Sequence, residues 1–138
     1  MRCTRAIRVS LSVAVCLLVS ACRKSEQQSN LRERIEAANF SQYCHPPDGC
    51  FNPEVLAVDN GFEVTTFLGS RPQHGHVPAK YLGAYLNALP MQAWPRGPSI
   101  GVGPTDDSAD PHAVEQNFEA ARQLCGSMGL EVRVRPGG

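Results

Sequence analysis

Cys44 and Cys50 stand with five residues between them, His45 sits beside the first, and His74-Gly75-His76 places two imidazoles one residue apart. Such groups serve two chemistries. Thiolate sulfur with imidazole suits zinc or copper. Two thiols in an oxidising compartment join instead. The Cys-x5-Cys spacing differs from that of the common zinc knuckles, and the CxxCH signature of covalent haem is missing. A disulfide stapling Cys44 to Cys50 is therefore expected, worth about 2–2.5 kcal/mol in the chain-entropy model. An extracytoplasmic metal-binding or redox protein using Cys44, Cys50, His45, His74 or His76 is the alternative, although the CxxC motif of thiol-disulfide oxidoreductases is missing. Cys125 falls on the apolar stripe of a predicted helix, which suits a buried, inert thiol. Its competing state is a bond to Cys44 or Cys50.

Other reactive groups point nowhere in particular. Asp106, Asp107 and Asp110 form an acidic loop before a helix, where carboxylates meet the helix N-terminus favourably. The EF-hand pattern is missing there. Neither a Gly-x-Ser-x-Gly elbow, a Walker loop nor a zinc-protease motif occurs. A non-catalytic chain without a cofactor is expected. The proline-rich loop from Leu89 to Pro98 carries the single tryptophan. Met91, Trp94 and Arg96 are residue types enriched at binding surfaces, and they make the candidate partner surface. In the blander alternative, which is preferred, Trp94 covers a sheet edge while Pro95 and Pro98 stop strand extension.

The elements that must position these groups follow from periodicity. Asn30 and Glu33 can cap a short helix from Leu31 to Ala38, which either docks or frays. The run Val55 to Leu68, turning at Asp59-Asn60-Gly61, is a hairpin. A three-residue loop would pair Val58 with Phe62 and set Leu56, Val58, Phe62, Val64 and Leu68 on one face. Gly69 to Val77 is expected to be a loop. Pro78 then opens a helix to Leu89 with the stripe Leu82, Tyr85, Leu86, Leu89. Gly83 in that helix suggests close packing on a sheet.

Ser99 to Gly103 is a short strand. Asp110-Pro111 starts a helix that Gly129 stops, with the stripe Val114, Phe118, Ala121, Cys125, Met128. Leu130 to Arg135 is a final strand. The last two strands flank a helix and should be parallel. The expected fold is α+β: a two-layer sandwich of about four strands in a mixed sheet, with two helices on one face. The element order is similar to that of the periplasmic domains of biopolymer-transport proteins. Those proteins begin with a membrane helix bearing an acidic residue, which this chain replaces with a different N-terminus, so no motor role is implied.

That N-terminus carries Arg2, Arg5 and Arg8, then an apolar run from Val9 to Ser20, then Leu18-Val19-Ser20-Ala21-Cys22. The apolar run is too short for a spanning helix, which takes roughly 20 residues. The arrangement resembles the signal peptide and lipobox of bacterial lipoproteins. The resemblance implies export, acylation of Cys22, cleavage before it, and a chain held extracytoplasmically at a membrane of the cell envelope. Arg23, rather than Asp, resembles an outer-membrane sorting signal, which in a Gram-negative cell would face the domain to the periplasm. Acyl chains such as palmitate would supply the hold, at about 0.8 kcal/mol per buried methylene.

On that expectation residues 1–21 are removed, residues 22–39 form a polar tether with its short helix, and residues 40–138 form one small domain. The formal net charge of zero becomes −3, because three of the 13 basic side chains leave and all 13 acidic ones stay. A mildly acidic domain has no electrostatic footprint for nucleic acid and no polybasic patch for anionic lipid. Its expected partners are the membrane, through lipid, and an envelope protein.

Overall fold

Five strands form one mixed sheet in the computed structural model, which describes residues 31–44, 49–68 and 71–136. The expected signal segment, Cys22 and the expected tether to residue 30, together with His45, Pro46, Pro47 and Asp48, lie outside the described residues. The strands are β1 (Glu54–Val58), β2 (Gly61–Leu68), β3 (Arg71–Val77), β4 (Ser99–Pro104) and β5 (Glu131–Val134). Their spatial order is β3-β2-β1-β4-β5. β1 pairs antiparallel with β2 and parallel with β4, and β2 pairs antiparallel with β3. β4 and β5 are parallel, as expected of strands joined through a helix. The fold is the expected α+β sandwich, with one more strand than the sequence pattern suggested and with the short helix at residues 31–38 docked beside the two expected helices.

The extra strand is β3, in the segment expected to be a loop. Its sequence RPQHGHV lacks apolar alternation, and Val77 is its sole buried residue. It needs none, because it is an edge strand held by backbone pairing to β2. An edge also tolerates Pro72, whose missing N–H would break a central ladder.

The hairpin register differs from expectation by one residue. Val58 pairs with Gly61 and Val55 with Val64. Val55 and Ala57 therefore enter the core, while Leu56 and Val58 sit half-buried on the opposite face. A one-residue slip moves every side chain of a strand to the other face. Long-range pairing decides the matter. Val55 lies between Val64 of β2 and Val102 of β4, and all three are buried. Gly61 accommodates the tight connection at φ 141°, where a Cβ would stand 2.5 Å from the Val77 carbonyl oxygen.

Residues 31–38 form α1, Leu82–Ala88 form α2 after a 3-10 turn at Ala79–Tyr81, and Pro111–Ser127 form α3. Asp110 caps α3 by accepting the Ala113 amide at 3.1 Å, and Gly129 follows its end at φ 83°. Gly83 packs against a helix rather than a sheet: a Cβ there would meet the Leu124 methyls of α3 at 3.6 Å. α1 docks. Leu31 and Ile35 are buried, Arg32 donates to the Gly129 carbonyl at 3.0 Å, and Arg34 donates to the Asn87 carbonyl at 3.2 Å. Residues 31–38 thus pack as part of the body. Apolar residues of all three helices join Val55, Ala57, Phe62, Val64, Ile100 and Val102 in one core. Among the described residues, the opposite face of the sheet carries no helix.

Candidate functional site

The uncovered face is built by alternation. Side chains that point away from the core come from Glu54 and Leu56 on β1, Glu63 and Thr65 on β2, and His74 and His76 on β3. Gly101 and Gly103 of β4 follow in the same rows, and Arg133 of β5 stands opposite Gly101. Because glycine projects nothing, the face is recessed along β4. The stem of Arg135 lies in that recess, with its Cδ 3.1 Å from where a Gly101 Cβ would be.

Two clefts open on this face and share Glu54 and Arg135, which form an ion pair. The first, about 280 Å³, is walled by Phe51, Arg96, Arg133 and Arg135 over a floor that includes Gly101. The second, about 550 Å³, runs along Leu56, Glu63, Thr65, His74 and Gly103. Its polar groups largely satisfy one another. Thr65 Oγ1 and His74 Nδ1 are hydrogen-bonded at 2.9 Å, and His76 Nδ1 lies 3.0 Å from the Glu63 carboxylate.

The loop expected to offer a partner surface is divided by burial. Trp94 is 1% exposed and belongs to the core, and Met91 packs against that core half-buried. Arg96 remains exposed and forms one wall of the first cleft. Its position is fixed by Asn52, which the sequence pattern did not single out. The Asn52 amide donates to the Gly97 and Ser99 carbonyls at 2.8 and 2.7 Å, and its Oδ1 accepts the Arg96 amide at 2.8 Å. Arg96 Nε then donates to the Cys50 carbonyl at 2.8 Å. The disulfide loop is thereby tied to the rim of the cleft.

No protein-family model, no curated protein and no solved structure matches this chain. The residues themselves must therefore carry any functional interpretation.

Cys44 and Cys50 are joined as a disulfide, so neither sulfur is a thiolate ligand. His74 and His76 stand on the uncovered face rather than beside that disulfide. Among the described residues no group of three or more His, Cys, Asp or Glu side chains is arranged to hold a metal ion. Cys125 is a free, fully buried thiol on α3. Burial pushes its pKa up from 9.0 to about 12. The sign follows: folding disfavours the thiolate, so the contribution to stability is whole below pH 9 and is lost as pH rises toward 12. Iodoacetamide at pH 8 is expected to leave Cys125 unmodified in the native chain and to alkylate it fully in urea. Rapid native alkylation, read by mass, would contradict this burial.

Arg133, Arg135 and Glu54 were not evident as site residues. The signal was nonetheless present. Glu131, Arg133 and Arg135 alternate with apolar residues, as Gly101 and Gly103 alternate with Ile100 and Val102. Two parallel neighbours with that alternation set arginines beside a glycine floor.

Proposed function

We propose that this chain is a lipid-anchored, non-catalytic binding module of a bacterial envelope. It is held at the membrane through Cys22 and engages its partner through the uncovered face of the sheet. The observation that carries the binding role is that face itself: recessed along Gly101 and Gly103, opened by two adjoining clefts and, among the described residues, covered by no helix. A sheet side that carries Glu54, Arg133 and Arg135 beside half-buried Leu56 and Val58 is suited to contact with a partner. The residues preceding α1 supply the spacer. The run from Cys22 to Asn30 holds no large apolar residue, which suits a flexible link between lipid and domain.

Site-specific photocrosslinking in intact envelopes tests the binding face. A photoreactive residue replacing Glu131, beside Arg133 at the rim of the face, should give one discrete adduct. The same residue replacing Gln123, exposed on α3, should give none. Adducts confined to the Gln123 position would show that the helix layer, rather than the sheet, meets the partner.

A further inference from the structure

We infer that the first cleft is an anion site, taking an organic carboxylate or phosphomonoester carried on an apolar body. This rests on the uncovered face being the binding face, and it names the chemistry that the face selects. Three of the chain's 13 basic side chains, Arg96, Arg133 and Arg135, line one cleft of about 280 Å³ in a protein of zero formal net charge. One acidic side chain, Glu54, lines it with them and pairs with Arg135.

The other two guanidiniums have capacity to spare. Arg96 spends Nε on the Cys50 carbonyl, and among the described residues its terminal nitrogens have no hydrogen-bond partner. Arg133 has only a 3.8 Å approach to Glu131, too long for a hydrogen bond. Guanidinium groups recognise carboxylate and phosphate in a bidentate manner, and more strongly than neutral donors would. Phe51, 49% exposed, rests on Phe67 with ring centroids 4.9 Å apart. It offers an apolar wall to the same cleft. Guanidinium charge and an aromatic ring lining the same cleft define a ligand with an anionic head and an apolar body.

Glu54 gives the proposal a signature of opposite signs. An incoming anion must compete with the Glu54 carboxylate for Arg135. Removing that carboxylate should therefore tighten binding, while removing Arg96 and Arg133 should weaken it. A residue that merely supports the fold would weaken binding in both cases.

The test is an NMR titration of the purified full chain in neutral detergent micelles, following backbone amides of β4 and the arginine Nε–H signals. Benzoate, phenyl phosphate and the neutral isostere benzamide are the probes. Saturable shifts at Gly101 and Arg133 with at least one anionic probe, and none with benzamide, are expected; the two anionic arms show which head group is preferred. The double variant Arg96→Gln, Arg133→Gln should weaken that binding about five-fold or more, and Glu54→Gln should strengthen it by about two- to five-fold. Unchanged spectra away from the cleft would certify that the variants are folded.

Equal binding of benzamide, no binding of either anion, or weaker binding by Glu54→Gln would overturn the anion site. Those failures leave the crosslinking result at Glu131 untouched, so the binding face and its ligand chemistry stand or fall separately.

Discussion

Trp94→Ala is expected to lower the stability of the domain by about 3–5 kcal/mol in urea unfolding, the usual cost of removing a large buried aromatic side chain. Trp94 is among the largest fully buried side chains and belongs to the single core. Its Nε1–H is buried and, among the described residues, has no hydrogen-bond acceptor. An indole that leaves a donor unsatisfied carries a cost which a hydrocarbon ring avoids. Trp94→Phe should therefore lose well under half as much as Trp94→Ala, despite its smaller volume. A near-neutral Trp94→Ala would mean that the indole is not in the core at all and would restore it to the surface.

Cys22→Ser is expected to abolish incorporation of labelled palmitate and to leave the chain either as uncleaved precursor or free of the membrane. The chemistry is direct, since a hydroxyl cannot replace the sulfur as the acceptor of the lipid, and each lost methylene removes about 0.8 kcal/mol of membrane affinity. The two products are separated by size and by fractionation. Acyl label persisting in the serine variant would show that another residue carries the lipid.

The sequence exposed the fold where side chains alone determine an element. Asp110-Pro111 and Gly129 bound α3 because capping, proline and glycine effects act within a turn or two. The parallel β4–β5 pair followed from the helix between the strands. The register of β1 did not follow, because the local pattern favoured Leu56 and Val58, whereas Val64 and Val102, distant in sequence, draw Val55 inward. β3 escaped notice because an edge strand needs backbone partners rather than apolar residues. Gly83 was read as close packing, which holds, although its neighbour is Leu124 of α3.

The site was less legible than the fold. Cysteine and histidine drew attention by type, and Cys44–Cys50 is indeed a disulfide. The arginines, by contrast, converge only through topology. Arg96 comes from a loop, and Arg133 and Arg135 come from the last strand and its end. Asn52, far from all three in chemistry, ties the Arg96 loop to the segment after the disulfide. No spacing rule links such residues before the strands are placed.

The proposed placement beside a membrane rests on acylation of Cys22, and the intact mass of the chain extracted from envelopes tests that most directly. The expected species begins at Cys22, spans the 117 residues that remain of 138, and carries the added mass of a diacylglyceryl group. It should also be two hydrogens lighter than the reduced form, for Cys44–Cys50. A polypeptide that starts at another residue and bears no acyl mass would contradict the tether.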